Sequence, residues 1–151
     1  VLALFDGRPP SAAALLALSD EQLRAAGLSR GKIAAMRDIA AKTVAGVVPS
    51  ARSIARMNES RILERLTQIR GVGPWTVEML LIFSLLRPDV MPATDFGVRK
   101  GFQVLFRKRS MPTPKQVEKL TRRWSPHRTT AALYLWKIAN TAKPARRKST
   151  S

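Results

Sequence analysis

Cysteine is absent from the 151 residues, and histidine occurs once, at His127. The first absence excludes disulfides and a four-cysteine iron–sulfur cluster, and the second argues against a zinc site. Acidic residues are also scarce: 10 Asp and Glu stand against 27 Lys and Arg, a formal charge of +17. That excess is more than solubility requires and points to a polyanionic partner, nucleic acid first, with acidic membrane surfaces and ribosomes as the other polyanions. No apolar run is long enough to span a bilayer and no signal peptide is legible, so an intracellular location is expected. Nothing repeats at a fixed period, and no segment alternates with the period of two that a half-buried strand would show. The expected fold is therefore all-α, about ten helices including short ones, in one domain over residues 1–142. Residues 143–151 form a basic, polar tail of the composition that stays disordered.

The helices announce themselves by their caps. After the break at Gly7-Arg8-Pro9-Pro10, Ser11 caps a short helix carrying Leu15, Leu16 and Leu18. Ser19 with Gln22 forms a capping box for a second, which Gly27 stops. Ser29 caps a longer helix from Arg30 to about Ala45, with Ile33, Met36, Ile39, Ala40 and Thr43 on its apolar face. A turn of helix is expected over Ser53 to Met57, and Asn58 caps the next helix. Further on, Thr113 with Pro114 opens a helix whose Lys115, Lys119, Arg122 and Arg123 make a basic, solvated face. A last helix spans about Arg128 to Ala139. The chain begins Val1-Leu2-Ala3-Leu4-Phe5, which reads as the end of a helix under way, so an N-terminal part is expected upstream.

The middle of the chain carries the chemistry. Apolar residues at Ile62, Leu63, Leu66 and Ile69, and again at Val77, Leu80, Leu81, Ser84 and Leu85, place two helices around Arg70-Gly71-Val72-Gly73-Pro74-Trp75. Glycine at both ends of so short a turn suggests positive φ and room for a close approach, and Pro74 suits the first position of the second helix. Such a tip points main-chain N–H groups at an anion such as phosphate, and the carbonyls ending the first helix could hold a bare cation. A plain helix–helix connection would read the same way. The proline-punctuated loop Arg87 to Thr94 follows, and then Asp95 opens an amphipathic run of Phe96, Val98, Phe102, Leu105 and Phe106. Asp95 can be an N-cap and a held, ionised carboxylate at once.

Taken together, I-R-G-V-G-P-W-T-V-E-M, R-P-D-V-M-P-A-T-D and R-W-S-P-H-R-T-T-A-A-L-Y-L-W resemble the helix-hairpin-helix superfamily of base-excision DNA glycosylases, in its alkylbase (3-methyladenine) branch. The resemblance runs from about Gly27 to Lys137. It implies excision of alkylated purines from double-stranded DNA by a monomer that needs no cofactor. Asp95 falls on the family's catalytic aspartate; Trp75 and Trp136 fall on pocket aromatics, and Met79 where one relative has tyrosine. Trp75 stands where the bifunctional members have a Schiff-base lysine, which implies a monofunctional enzyme using water. Gly71, Gly73 and Thr76 would grip the DNA backbone, and the main-chain oxygens of Thr67, Ile69 and Val72 would hold Na+ or K+. Thr94 replaces the branch's usual second acid, leaving Asp95 as the expected acid. Arg128 is a candidate site charge or a structural ion pair, and each Trp a pocket wall or a core residue. A hairpin module that binds DNA without catalysis, or a basic ribosomal or nucleoid protein, are the rival readings.

Overall fold

The computed structural model describes residues 8–141, so the expectations for residues 1–7 and for the tail lie outside them. Among the described residues the regular structure is entirely helical: α1 Ala12–Ala17, α2 Asp20–Ala25, α3 Arg30–Val44, α4 Ala51–Ala55, α5 Glu59–Leu66, α6 Pro74–Met79, α7 Phe96–Leu105, α8 Pro114–Thr121 and α9 Arg128–Thr141. A π-helical turn, Leu80–Ser84, continues α6, and a 3-10 turn, Arg122–Trp124, continues α8. None of these helices is long and apolar enough to cross a membrane.

Short polar side chains start most of these helices. Ser11, Ser19, Ser29, Ser50, Asn58, Asp95 and Thr113 each accept the N–H of the residue three positions on, satisfying a donor that the first turn leaves over. Ser19 and Thr113 complete capping boxes with Gln22 and Gln116. The fourth helix departs from the expected turn at Ser53 to Met57, because Ser50 takes the cap and Ser53 supplies the capped N–H.

Two compact units divide the chain between Val77 and Glu78, within α6. In the first, α1 and α2 pack on α3, whose Ile33 and Ala40 are buried. The rest of the expected apolar face of α3 is less covered: Ile39 is 40% exposed and Thr43 lies in solvent. Leu23, Ile54, Ile62, Leu66, Ile69 and Val77 are the other buried apolar residues among the described residues of this unit.

In the second unit, α7 and α9 pack most closely, around Met91, Ala93, Val98, Phe102, Val117, Ala132 and Leu135. A Cβ on Gly101 would collide with the Leu135 main chain, so glycine sets how near α9 can lie. Only Val98 and Phe102 of the expected apolar run are buried; Phe96, Leu105 and Phe106 are exposed. The Phe102 ring lies tilted against Phe106 and Trp124, which stack on each other.

Candidate active site

The hairpin belongs to the first unit. α5 stops at Leu66 rather than running through Ile69, and the chain turns back through Val72 N–H donating to Ile69 O at 3.0 Å. Gly71 has φ +81°, the left-handed geometry the turn needs. Gly73 does not, and a Cβ there would meet nothing within 4 Å, so the turn itself has no need of a second glycine. Pro74 is the first residue of α6, as expected from its missing N–H. The end of α5 is fastened to α3 by a device that the sequence reading passed over. Asp38 Oδ2 accepts the Arg70 main-chain N–H at 2.6 Å, while Lys42 Nζ donates to Asp38 at 2.7 Å and to Gln68 O. The Arg70 N–H first, and Lys42 second, hold the Asp38 carboxyl below the usual range. Gly71 and Thr76 are exposed, and Trp75 is 48% exposed, which sets the core reading of this indole aside.

The second unit assembles Asp95. As N-cap of α7, its Oδ1 accepts Val98 N–H at 2.8 Å and Trp136 Nε1–H at 2.7 Å. Both donors favour the ionised form and fix the carboxylate's direction. Trp136 is half-buried and packs against the core cluster, as its core reading expected, while its indole edge donates to Asp95, a contact the sequence did not indicate. Phe83 stacks on it, with centroids 5.8 Å apart and planes at 23°, and is itself 57% exposed. An aromatic surface thus adjoins the carboxylate. Sequence reasoning missed Phe83, since one phenylalanine in an apolar run gives no sign of facing out; it lies in the π-helical turn, which widens the helical period and re-aims the side chains. Met79 is half-buried and Thr94 exposed.

A second acid, also missed, is Glu78. Its Oε2 is buried without a hydrogen-bond partner. Burial chiefly, then the negative fields of Asp95 and Glu118, push this carboxyl up to about 7. This half-buried carboxyl, which lies in the field of Asp95, was not among the expected site residues.

Arg128 opens α9 and clamps the loop that leads to Asp95. Its Nε and Nη2 donate to Asp89 Oδ1 and Oδ2 at 2.7 and 2.8 Å, and Ser125 Oγ donates to Oδ2 at 2.8 Å. Thr129 adds to the clamp, accepting Val90 N–H at 2.9 Å and donating to Arg87 O at 2.6 Å. The Arg128 guanidinium holds the Asp89 carboxyl well below the usual range. This geometry is the ion pair that was the structural alternative for Arg128. Among the described residues, no group of three or more His, Asp or Glu is placed to hold a metal ion.

Residues 2–127 match the family described as HhH-GPD superfamily base excision DNA repair protein. The chain belongs to the HhH-GPD superfamily. Within it, the chain is 43% identical over 146 residues to DNA-3-methyladenine glycosylase 1 of Schizosaccharomyces pombe, covering 95% of this chain and 64% of that protein. The solved S. pombe 3-methyladenine DNA glycosylase in complex with abasic DNA superposes with a TM-score of 0.81, at 43% identity, over 91% of this chain and 66% of that one. The DNA-3-methyladenine glycosidase of Bacillus halodurans superposes with a TM-score of 0.84 at 34% identity, over 93% and 64%. The chain thus spans a little under two thirds of the length of each of these relatives.

Proposed function

We propose that this HhH-GPD chain excises alkylated purines of the 3-methyladenine type from double-stranded DNA by hydrolysing the N-glycosidic bond, with water as the nucleophile. The observation that carries the reading is Asp95: a half-buried carboxylate held on one oxygen by a helix N-terminal N–H and an indole N–H, beside an aromatic surface. A duplex hides the glycosidic bond, so the nucleotide must leave the stack at a cost of about a few kcal/mol, less at a damaged pair. Cleavage builds positive charge on the sugar, which a fixed, ionised carboxylate stabilises and whose attacking water it can orient or deprotonate. An alkylated purine is already cationic and leaves without a strong general acid, and an aromatic face attracts it by roughly 0.5–2 kcal/mol. Glu78, proton-bearing up to about neutral pH, leaves Asp95 as the anion of the pair.

The remaining roles follow from the same reading. The exposed indole of Trp75 offers a stacking face and no amine, so a Schiff base has no donor at that position. Gly71, Gly73 and Thr76 grip the phosphate backbone through main-chain and hydroxyl groups, without reading sequence. The carbonyls of Thr67, Ile69 and Val72 are hard oxygen donors past the last full turn of α5, suited to Na+ or K+. The protein works as a monomer, in the compartment that holds DNA.

A duplex carrying one N-methylated purine tests the chemistry. Free base should appear while the strand stays whole until treated with alkali. Strand breakage without alkali, or no base release, would contradict the proposal.

A further inference from the structure

Gly97 lies in the first turn of α7, two residues past Asp95. A Cβ built there would stand 2.6 Å from Trp136 Cδ1, 3.1 Å from Trp136 Nε1 and 3.1 Å from Asp95 Oδ1. Real side chains essentially never make the first of these contacts, and its partner is a half-buried ring wedged against the core and Phe83, not the loose end of a flexible chain. One turn further on, Gly101 lets the Leu135 main chain approach the same face of α7. Successive residues of α9, Leu135 and Trp136, therefore rest where α7 has no side chains. Gly97 has no φ in the left-handed region, so backbone freedom does not explain it; the vacant space does.

We propose that Gly97 is a positioning residue: the side chain it lacks leaves the space through which the Trp136 indole reaches the start of α7 and donates Nε1–H to the Asp95 carboxylate. The functional weight of this contact rests on the reading of Asp95 as the reacting carboxylate; the contact itself does not. A methyl at position 97 pushes the indole edge away, removing one of the two donors on Oδ1. Asp95 then binds a proton more readily and loses a constraint on its direction. Glu78, on α6, is the other carboxyl in this field, raised to about 7 by burial first and by the charge of Asp95 second.

The test compares the parent with Gly97→Ala, Trp136→Phe and the double variant. In free protein, the Trp136 indole N–H resonance is followed by NMR through an acid titration; separately, single-turnover base release is measured against pH. The parent indole resonance should titrate with one carboxylate, and Gly97→Ala should abolish that response. The acid limb of base release should move up by about one pH unit in Gly97→Ala and in Trp136→Phe alike, and no further in the double variant, since both remove the same bond. An unchanged indole titration in Gly97→Ala, or shifts that add in the double variant, would overturn the proposal. Loss of release in every protein with the indole response as described would count against the glycosylase reading and leave the positioning role standing. If Gly97→Ala does not fold, Gly97→Ala with Trp136→Ala must fold as Trp136→Ala does, because the colliding ring is gone; its failure to do so would equally overturn the assignment.

Discussion

At the scale of single residues, the site turns on two carboxyls driven apart by their surroundings. Asp95 is given hydrogen-bond donors, while Glu78 is given burial and a negative neighbour. The consequence for Glu78 can be measured. Its carboxyl stands at about 7 in the fold against an ordinary 4.5, so the unfolded chain ionises first. The stability associated with its proton is complete below about pH 4.5 and is lost as the pH rises through about 7. Above that, the ionised group costs about 1–2 kcal/mol, after discounting for its partial contact with water. Glu78→Gln should therefore be more stable than the parent at alkaline pH and lose the advantage in acid, as read by urea unfolding across the range. Parallel stability profiles would contradict the assignment. Asp95 was legible because an acid after a proline-rich loop and before an apolar helix is a distinctive local pattern. Glu78 was not, since a glutamate in mid-helix looks like any solvated one until tertiary burial is known.

At the scale of elements, the hairpin and the Asp89 loop show two ways of holding a segment still. Gly71 carries the backbone conformation of the turn, and Gly73 carries none of it. Gly71→Ala should lower stability by about 1–2 kcal/mol through left-handed strain. Gly73→Ala should leave stability within about 0.5 kcal/mol yet weaken DNA binding, if the missing side chain is room for a phosphate. Thermal unfolding beside a binding titration separates the two; equal destabilisation would sink the distinction. The loop depends on Arg128 instead. Arg128→Ala strands a partly buried Asp89 and should cost about 1–3 kcal/mol. Because the Asp89 carboxyl is held low, that contribution is present above about pH 4 and is lost as the pH falls below it; a cost that persists unchanged in strong acid would contradict the ion-pair account. Caps made most helix starts readable, from Ser11 to Thr113, because a cap is a local bond between a side chain and an N–H three residues on. The π-helical turn over Leu80–Ser84 and the early end of α5 were not readable, since both answer to packing and not to local preference.

For the whole molecule, the hairpin motif sets the family, and that was plain in the sequence. The all-helical architecture was equally plain, since no strand period competed with the helical one. What the sequence hid was which apolar residues are core: Ile39, Phe96 and Phe106 continue helical stripes yet lie exposed. Helical periodicity marks one side of a helix, but how far packing covers that side is decided by its neighbours. The exposed aromatics gain a meaning only from Asp95, beside which Phe83 and Trp136 stack. The most direct measurement of the central claim is base release from N-methylated duplex by this chain and by Asp95→Asn, with DNA binding assayed in the same samples. The asparagine keeps an oxygen for the α7 cap and for the indole, so folding and DNA affinity should persist while release falls by at least about a thousandfold. Release by the variant at the parent's rate would remove Asp95 from the mechanism.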